Sequence, residues 1–170
     1  LVAQAAQRLA NEKQISAELR YKIDASGHEL LGTGRYLQQG IGEDRNLLYV
    51  LNAGGSVGAV DNVSGFRVRD DCSVAPIAGS ARPLSAPNSA PAQASFTPDG
   101  KYLVVTEKAT NIINTYRVNP NGTLGAPRSQ ASAQPTPFGF NFGRRDLLLV
   151  SEAAGGAPGQ GALSSYRVDD

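Results

Sequence analysis

The chain has 170 residues, of which 41% are hydrophobic and 6% aromatic, and its 16 basic and 15 acidic residues give a net charge of +1. This balance provides no electrostatic basis for binding nucleic acid or an anionic membrane surface, and no apolar run is long enough to span a bilayer. With one cysteine, Cys72, and one histidine, His28, an internal disulfide, a metal–thiolate cluster and a Ser-His-Asp triad beyond residue 45 are excluded.

Residues 1–45 differ in pattern from the rest of the chain. Apolar residues within 1–13 recur at helical spacing, which predicts a helix. Apolar and polar residues alternate from 17 to 25, as is typical of a half-buried strand, and 29–38 is predicted to be the second strand of a hairpin. The segment is therefore predicted to be a helix plus a hairpin of unknown type. It is either a true small domain or a junction between unrelated sequences.

A three-residue pattern, aromatic-Arg-Val, returns at a fixed interval in the rest of the chain. Its aromatic residues are Phe66, Tyr116 and Tyr166, which are fifty positions apart. Apolar runs precede the three copies at 48–52, 103–107 and 148–152, and two of these runs follow a further matching piece, at 91–96 and 137–142. Self-similarity at such a period is the signature of a repeat architecture.

The middle copy is the most complete and predicts four antiparallel strands, over 92–96, 101–107, 112–118 and 123–129. Pro98 and Gly100 stand where a β-turn favours them, and Asn121-Gly122 is a strong hairpin signal. Four antiparallel strands per repeat are typical of a β-propeller blade. The alternative is a β-sandwich whose hairpins resemble one another by chance.

Three stretches of the chain resemble the lactonase family of seven-bladed β-propellers, whose repeats are of the YVTN type. They are LLYVLNAGG (47–55), SFTPDGKYLVVTEK (95–108) and TPFGF (136–140). The family includes bacterial 6-phosphogluconolactonases and fungal carboxymuconate-lactonizing enzymes. The resemblance covers roughly residues 46–170 and implies a mainly β chain, a partial propeller of about three blades with the last ones incomplete.

Closed propellers typically have four to eight blades. We therefore expect the chain to be a fragment of a longer protein, to close by oligomerisation, or to cover an edge with residues 1–45, and we favour the first. The first copy also lacks a recognisable channel strand.

The resemblance implies that each first strand begins, and each second strand ends, at one mouth of the central channel. Pro91, Ala92 and Gln93 would then lie near Glu107, and residues 137–139 near Glu152. Asn52 takes the matching place in the first copy.

In the lactonizing relatives, a histidine and arginines near the strand starts and a glutamate at a second-strand end form the site. Glu152 matches that glutamate, whereas Gln93 stands at the histidine position and Phe138 or Gly139 at the arginine position. The resemblance thus makes Glu152 and Glu107 the candidate catalytic residues. Gln93, Asn52 and Phe138 are the candidate substrate-binding residues.

Two interpretations of the glutamates remain open: general bases at the channel mouth, or solvated carboxylates at loop ends. Because a carboxylate without cationic partners cannot easily stabilise developing negative charge, we favour a non-catalytic or vestigial propeller fragment that acts as a binding scaffold. The alternative is a lactone hydrolase or cycloisomerase, similar to 6-phosphogluconolactonase, with its site at the channel mouth.

The expected partners follow from these two functions. They are a small-molecule lactone or a protein, and uncovered blade edges predict self-association. We expect no metal, no cofactor, no nucleic acid and no membrane span. The compartment stays open between cytoplasmic and periplasmic or secreted.

Overall fold

The computed structural model describes residues 14–25, 28–39, 46–53, 60–69, 71–143 and 147–168, of which 14–25 and 28–39 are described by their backbone alone. These residues form a mainly β structure of four antiparallel sheets. Among the described residues, none belongs to a helix with the length and hydropathy needed to cross a bilayer. The helix predicted over 1–13 lies outside the described residues.

A two-stranded hairpin comes first, made of β1 (Gln14–Ala25) and β2 (His28–Gln39). The alternating pattern predicted β1, and the segment after the turn was predicted to be β2. Strand β1 starts three residues before its predicted start, and β2 extends one residue beyond its predicted bounds at each end. The backbone of β2 runs close to the first strand of the next sheet.

Three larger sheets follow the hairpin, and we call them the first, middle and last sheets. The first sheet contains β3 (Leu47–Asn52), β4 (Asn62–Val68), β5 (Val74–Pro76) and β6 (Arg82–Pro83). Strand β3 pairs with one edge of β4, while β5 and β6 pair with β4 at its two ends. The segment between β5 and β6 contains Gly79, whose φ of 70° turns the chain away from strand geometry. This turn separates the two short strands.

The middle sheet is a meander of β7 (Pro91–Phe96), β8 (Tyr102–Glu107), β9 (Ile112–Val118) and β10 (Leu124–Ala131). The four strands predicted for the middle copy are confirmed to within two residues at each end. Glycines occupy the tight turns, with φ of 70° at Gly100 and 81° at Gly122, a conformation that residues with a Cβ rarely adopt.

The last sheet contains β11 (Pro137–Phe142), β12 (Leu147–Glu152) and β13 (Ala162–Arg167). These strands also follow one another as a meander. A short 3-10 turn over Ala154–Gly156 lies between β12 and β13.

The three aromatic residues of the repeated pattern occupy the same register in their sheets. Phe66 pairs with Leu48, Tyr116 with Leu103 and Tyr166 with Leu148. Each leucine is the second residue of its strand. The pairing of each aromatic strand with the apolar run before it is thus the same in all three sheets.

The middle sheet is covered on both faces. All six residues of β8 are buried, and because successive side chains of a strand point to opposite faces, they contribute to two cores. One core joins the first and middle sheets through Tyr49, Val63, Leu84, Phe96, Leu103, Val105, Tyr116 and Leu124. The other joins the middle and last sheets through Val104, Ile113, Phe140, Leu148 and Val150. The sheets therefore stack in chain order.

Candidate functional site

The candidate glutamates lie where the first and second strands of a sheet meet. Glu107, the last residue of β8, is the register partner of Pro91, the first residue of β7. Glu152, the last residue of β12, is the partner of Pro137, the first residue of β11. The predicted proximity of strand starts and second-strand ends is therefore confirmed, because each pair of strands forms an antiparallel hairpin.

Glu107 is 0% exposed, so the interpretation of this residue as a solvated carboxylate is wrong. Its Oε1 accepts hydrogen bonds from the Ser85 N–H (3.1 Å) and from Asn114 Nδ2, and its Oε2 accepts from Ser85 Oγ and Thr110 Oγ1 (2.7 Å). All these donors are neutral groups of the protein itself. Both oxygens are thus occupied.

Glu152 is 2% exposed and equally far from the solvated state. Its Oε1 accepts from Ser132 Oγ (2.7 Å), Tyr166 Oη (3.0 Å) and the Gln134 N–H (3.2 Å), and its Oε2 accepts from Ser164 Oγ (2.6 Å). Burial alone raises the pKa of this carboxyl, but the hydrogen bonds outweigh burial and hold the pKa below its ordinary value.

The two carboxylates are bound by donors at corresponding places. Glu107 pairs in register with Ile112 and accepts from Asn114, two residues further along the third strand. Glu152 pairs with Ala162 and accepts from Ser164, again two residues further along. Each also accepts from a serine in the segment before its first strand, Ser85 or Ser132. Each carboxylate therefore links the end of the second strand to the third strand and to the segment that precedes the first strand.

Asn52 takes the corresponding position in the first sheet. Its Nδ2 donates to Asn62 Oδ1 (2.9 Å) and to Ser64 Oγ (3.3 Å), and Ser64 stands at the same third-strand position as the donors above. This predicted substrate-binding residue is thus engaged within its own sheet.

Gln93 joins the middle sheet to the last. Its Nε2 donates to the carbonyl oxygen of Phe140 (2.9 Å), and its Oε1 accepts from the N–H of Phe140 (3.0 Å). A second tie is close by, from Thr106 Oγ1 to the carbonyl oxygen of Phe138 (2.6 Å). The amide of Gln93 therefore holds two sheets together.

Phe138 is the predicted binding residue whose side chain is accessible, being 48% exposed. Lys108, the residue after Glu107, places its Nζ 4.9 Å from the centre of the Phe138 ring. The sequence interpretation did not single out this lysine, although it directly follows a candidate catalytic residue.

A further pair of ties was also missed. Asp61 Oδ2 accepts from the Ala90 N–H (3.0 Å), and Asn111 Oδ1 accepts from the Thr136 N–H (2.7 Å). Asp61 and Asn111 immediately precede β4 and β9, and each reaches the residue before the first strand of the next sheet. Ala90 and Thr136 have φ of 50° and 62°, an uncommon conformation for residues with a Cβ. These bonds help to hold it.

Two tyrosines lie in the core between the first and middle sheets. The hydroxyl of Tyr116 is buried and has no hydrogen-bond partner among the described residues, while Tyr49 donates to the carbonyl oxygen of Gly122. Burial is the main reason that the pKa of each rises to about 12. Both hydroxyls are thus neutral at physiological pH.

The described residues contain no group of three or more His, Cys, Asp or Glu side chains placed to hold a metal ion. Comparison with known proteins found no matching family model, no matching curated protein and no matching solved structure.

Proposed function

We propose that this chain is part of a lactonase-like β-propeller that serves as a non-catalytic binding scaffold. The observation that carries this proposal is the state of Glu107 and Glu152. Each is buried, and both oxygens of each accept hydrogen bonds from neutral donors of the chain. A general base needs a free lone pair directed at its substrate, and these carboxylates hold strands together instead.

The propeller part of the proposal is supported by the way the sheets repeat. Three antiparallel sheets place an aromatic residue opposite a leucine in the same register. The first strand of the middle sheet, β7, approaches β3 on one side and β11 on the other. Such radial repetition of antiparallel sheets is how propellers are built.

The proposed contact surface is the rim where first strands begin and second strands end. Phe138 presents an exposed ring there, whereas Asn52 and Gln93 use their amides within the protein. Binding residues are common where strands end and meet the adjoining loops, because a rigid scaffold positions them there. A ligand or a protein partner would therefore meet Phe138 and its neighbours first.

A lactone hydrolase or cycloisomerase is the competing function, with Glu152 as the general base. Its lowered pKa keeps this group ionised at neutral pH, but a low pKa also makes it a weak base. Substrate would in addition have to displace hydrogen bonds from Ser132 and Ser164.

The two functions are separated by a lactone-hydrolysis assay on the purified chain. The substrates are a sugar δ-lactone and muconolactone, and ring opening is followed by NMR against the rate in buffer. The variants are Glu152→Gln and Glu107→Gln, with Asp99→Asn as the matched control in the turn at the opposite end of the middle sheet. Folding of each variant is checked by circular dichroism.

We expect the wild type and all three variants to hydrolyse both lactones at the buffer rate. Hydrolysis that exceeds the buffer rate in wild type and in Asp99→Asn, and returns to it in a folded Glu152→Gln variant, would overturn the scaffold proposal and establish the enzyme. Hydrolysis that persists in both glutamine variants would overturn it as well, and would move the site elsewhere.

A further inference from the structure

We propose that Lys108 and Phe138 form a binding site for the carboxylate of a flat, apolar organic acid. The site rests on the proposed function, since it takes the rim as the contact surface and names the class of ligand that the rim accepts. It is formed by the residue that follows β8 and the second residue of β11, which belong to neighbouring sheets.

The backbone around this site is well anchored. The Lys108 N–H donates to the carbonyl oxygen of Ala90 (3.1 Å), and the carbonyl oxygen of Phe138 accepts from Thr106 Oγ1 (2.6 Å). The side chains of Glu107 and Lys108 diverge at the end of the strand. Glu107 contacts Ser85, whereas Lys108 lies over the ring of Phe138.

The ammonium group of Lys108 keeps its hydrogen-bonding capacity. It carries three donors, yet it makes no hydrogen bond or ion pair with any described residue. The nearest acidic residue in sequence, Glu107, is already occupied by other donors, and Glu152 in the next sheet is too. The positive charge is therefore available to an anion from outside.

The Phe138 ring beside the Lys108 ammonium favours a ligand with a flat, apolar group next to its carboxylate. A cation over an aromatic ring at an exposed site gains only about 0.5–1 kcal/mol, so the ring contact orients Lys108 without saturating it. Phe138 still leaves 48% of its surface exposed. A carboxylate attached to a flat apolar group satisfies both features, by pairing with the ammonium and covering the ring. A small inorganic anion would use only the charge.

The test is an NMR titration of the full chain with benzoate, and with benzamide as its uncharged counterpart. The variants are Lys108→Gln, Lys108→Arg and Phe138→Ala. Lys101→Gln is the matched control, since Lys101 lies at the opposite end of β8 and pairs with Asp99. Circular dichroism and thermal unfolding verify that each variant is folded.

We expect benzoate to bind wild type, Lys101→Gln and Lys108→Arg with similar affinity. Lys108→Gln is expected to weaken binding by about tenfold, the range of one charge-assisted contact, and Phe138→Ala to weaken it severalfold. Benzamide is expected to bind at least about tenfold more weakly than benzoate on the same grounds.

Three outcomes would overturn the site: no benzoate binding to wild type, equal binding to folded Lys108→Gln, or equal binding of benzamide. Any of them, together with an absence of lactone turnover, rejects this site and leaves the scaffold proposal in place. Turnover that depends on Glu152 rejects the scaffold proposal whatever the benzoate result, so the two failures are distinguishable.

Discussion

Ile113 and Leu163 occupy the same position in neighbouring sheets, yet Ile113 is 1% exposed and Leu163 is 70% exposed. Ile113 is the register partner of Thr106, and Leu163 is the partner of Ser151. Thr106 and Ser151 each precede the glutamate that ends the second strand. The last sheet covers Ile113, whereas the corresponding face of the last sheet is uncovered within the described part of the chain.

The polar ties of this face differ as well. Gln93 of the middle sheet bonds to the last sheet, and the equivalent position of the last sheet is Gly139. Asn111 accepts from the Thr136 N–H, and its equivalent in the last sheet is Gly161. Neither glycine has a side chain that could form such a bond. Ser151, in the place of Thr106, turns back to the carbonyl oxygen of Gly139 in its own sheet (2.8 Å). The outer face of the last sheet therefore offers an apolar side chain without the ties that join the sheets before it.

We predict that the chain self-associates through this outer face. Leu163→Glu is expected to lower self-association because it places a charge on the apolar contact. Sedimentation velocity over a range of concentrations measures the effect, and Val74→Glu, an exposed apolar position in the first sheet, is the control. A wild type that stays monomeric at all concentrations, or a Leu163→Glu variant that associates as wild type does, would contradict the prediction.

Truncating the two positions should affect stability very differently. Ile113→Ala is expected to lower the free energy of unfolding by about 3 kcal/mol, since it leaves a cavity between the middle and last sheets. Leu163→Ala is expected to change it by less than about 0.5 kcal/mol, because the side chain is already in solvent. Urea unfolding of both variants gives the comparison, and equal losses would mean that the sheets do not stack as described.

Acidic pH should destabilise the fold through Glu152. The pKa of Glu152 is lowered in the folded chain, so the unfolded chain takes up the proton first as pH falls. The stabilisation is therefore complete above the unfolded pKa and is lost as pH falls through the folded pKa. We expect the stability difference between wild type and Glu152→Gln to shrink across the acidic range below pH 4.5, the ordinary value. A difference that stays constant there would refute this.

Asn111 should control the local stability of the junction between the middle and last sheets. Asn111→Ala removes the acceptor of the Thr136 N–H, and a lost hydrogen bond of this kind costs about 1 kcal/mol. Hydrogen exchange at the Thr136 amide is expected to accelerate severalfold, while Asn88→Ala, at an exposed loop position, leaves it unchanged. Unchanged exchange in Asn111→Ala would show that the bond is not formed in solution.

The strands of the middle sheet were predictable because their signals are local. Alternation, β-branched residues and the turn residues around Gly100 and Gly122 define β7 to β10 within short windows. Strands β5 and β6 were not predicted, since they are only three and two residues long. These short segments are strands because they pair with the edge of β4. Such pairing leaves no pattern in the local sequence.

The positions of the candidate site residues were predicted from the sequence, but their burial and hydrogen bonds were not. The register that places Glu107 beside Pro91 follows from hairpin connectivity, which the sequence indicates. The burial of Glu107 does not follow from the sequence, because the donor Ser85 lies 22 residues away in a loop without periodicity. Lys108 was overlooked for a similar reason, since its role depends on contact with Phe138 in another sheet.

A double-mutant cycle between Glu107 and Ser85 tests most directly whether the buried carboxylates hold the strands of a sheet to the segment that precedes it. The free energy of unfolding is measured by urea for wild type, Glu107→Gln, Ser85→Ala and the double variant. If the contact is structural, the two single losses are non-additive by about 1–2 kcal/mol. Additive losses would show that the hydroxyl of Ser85 does not bind Glu107 in the folded chain, and would contradict the structural role of this contact.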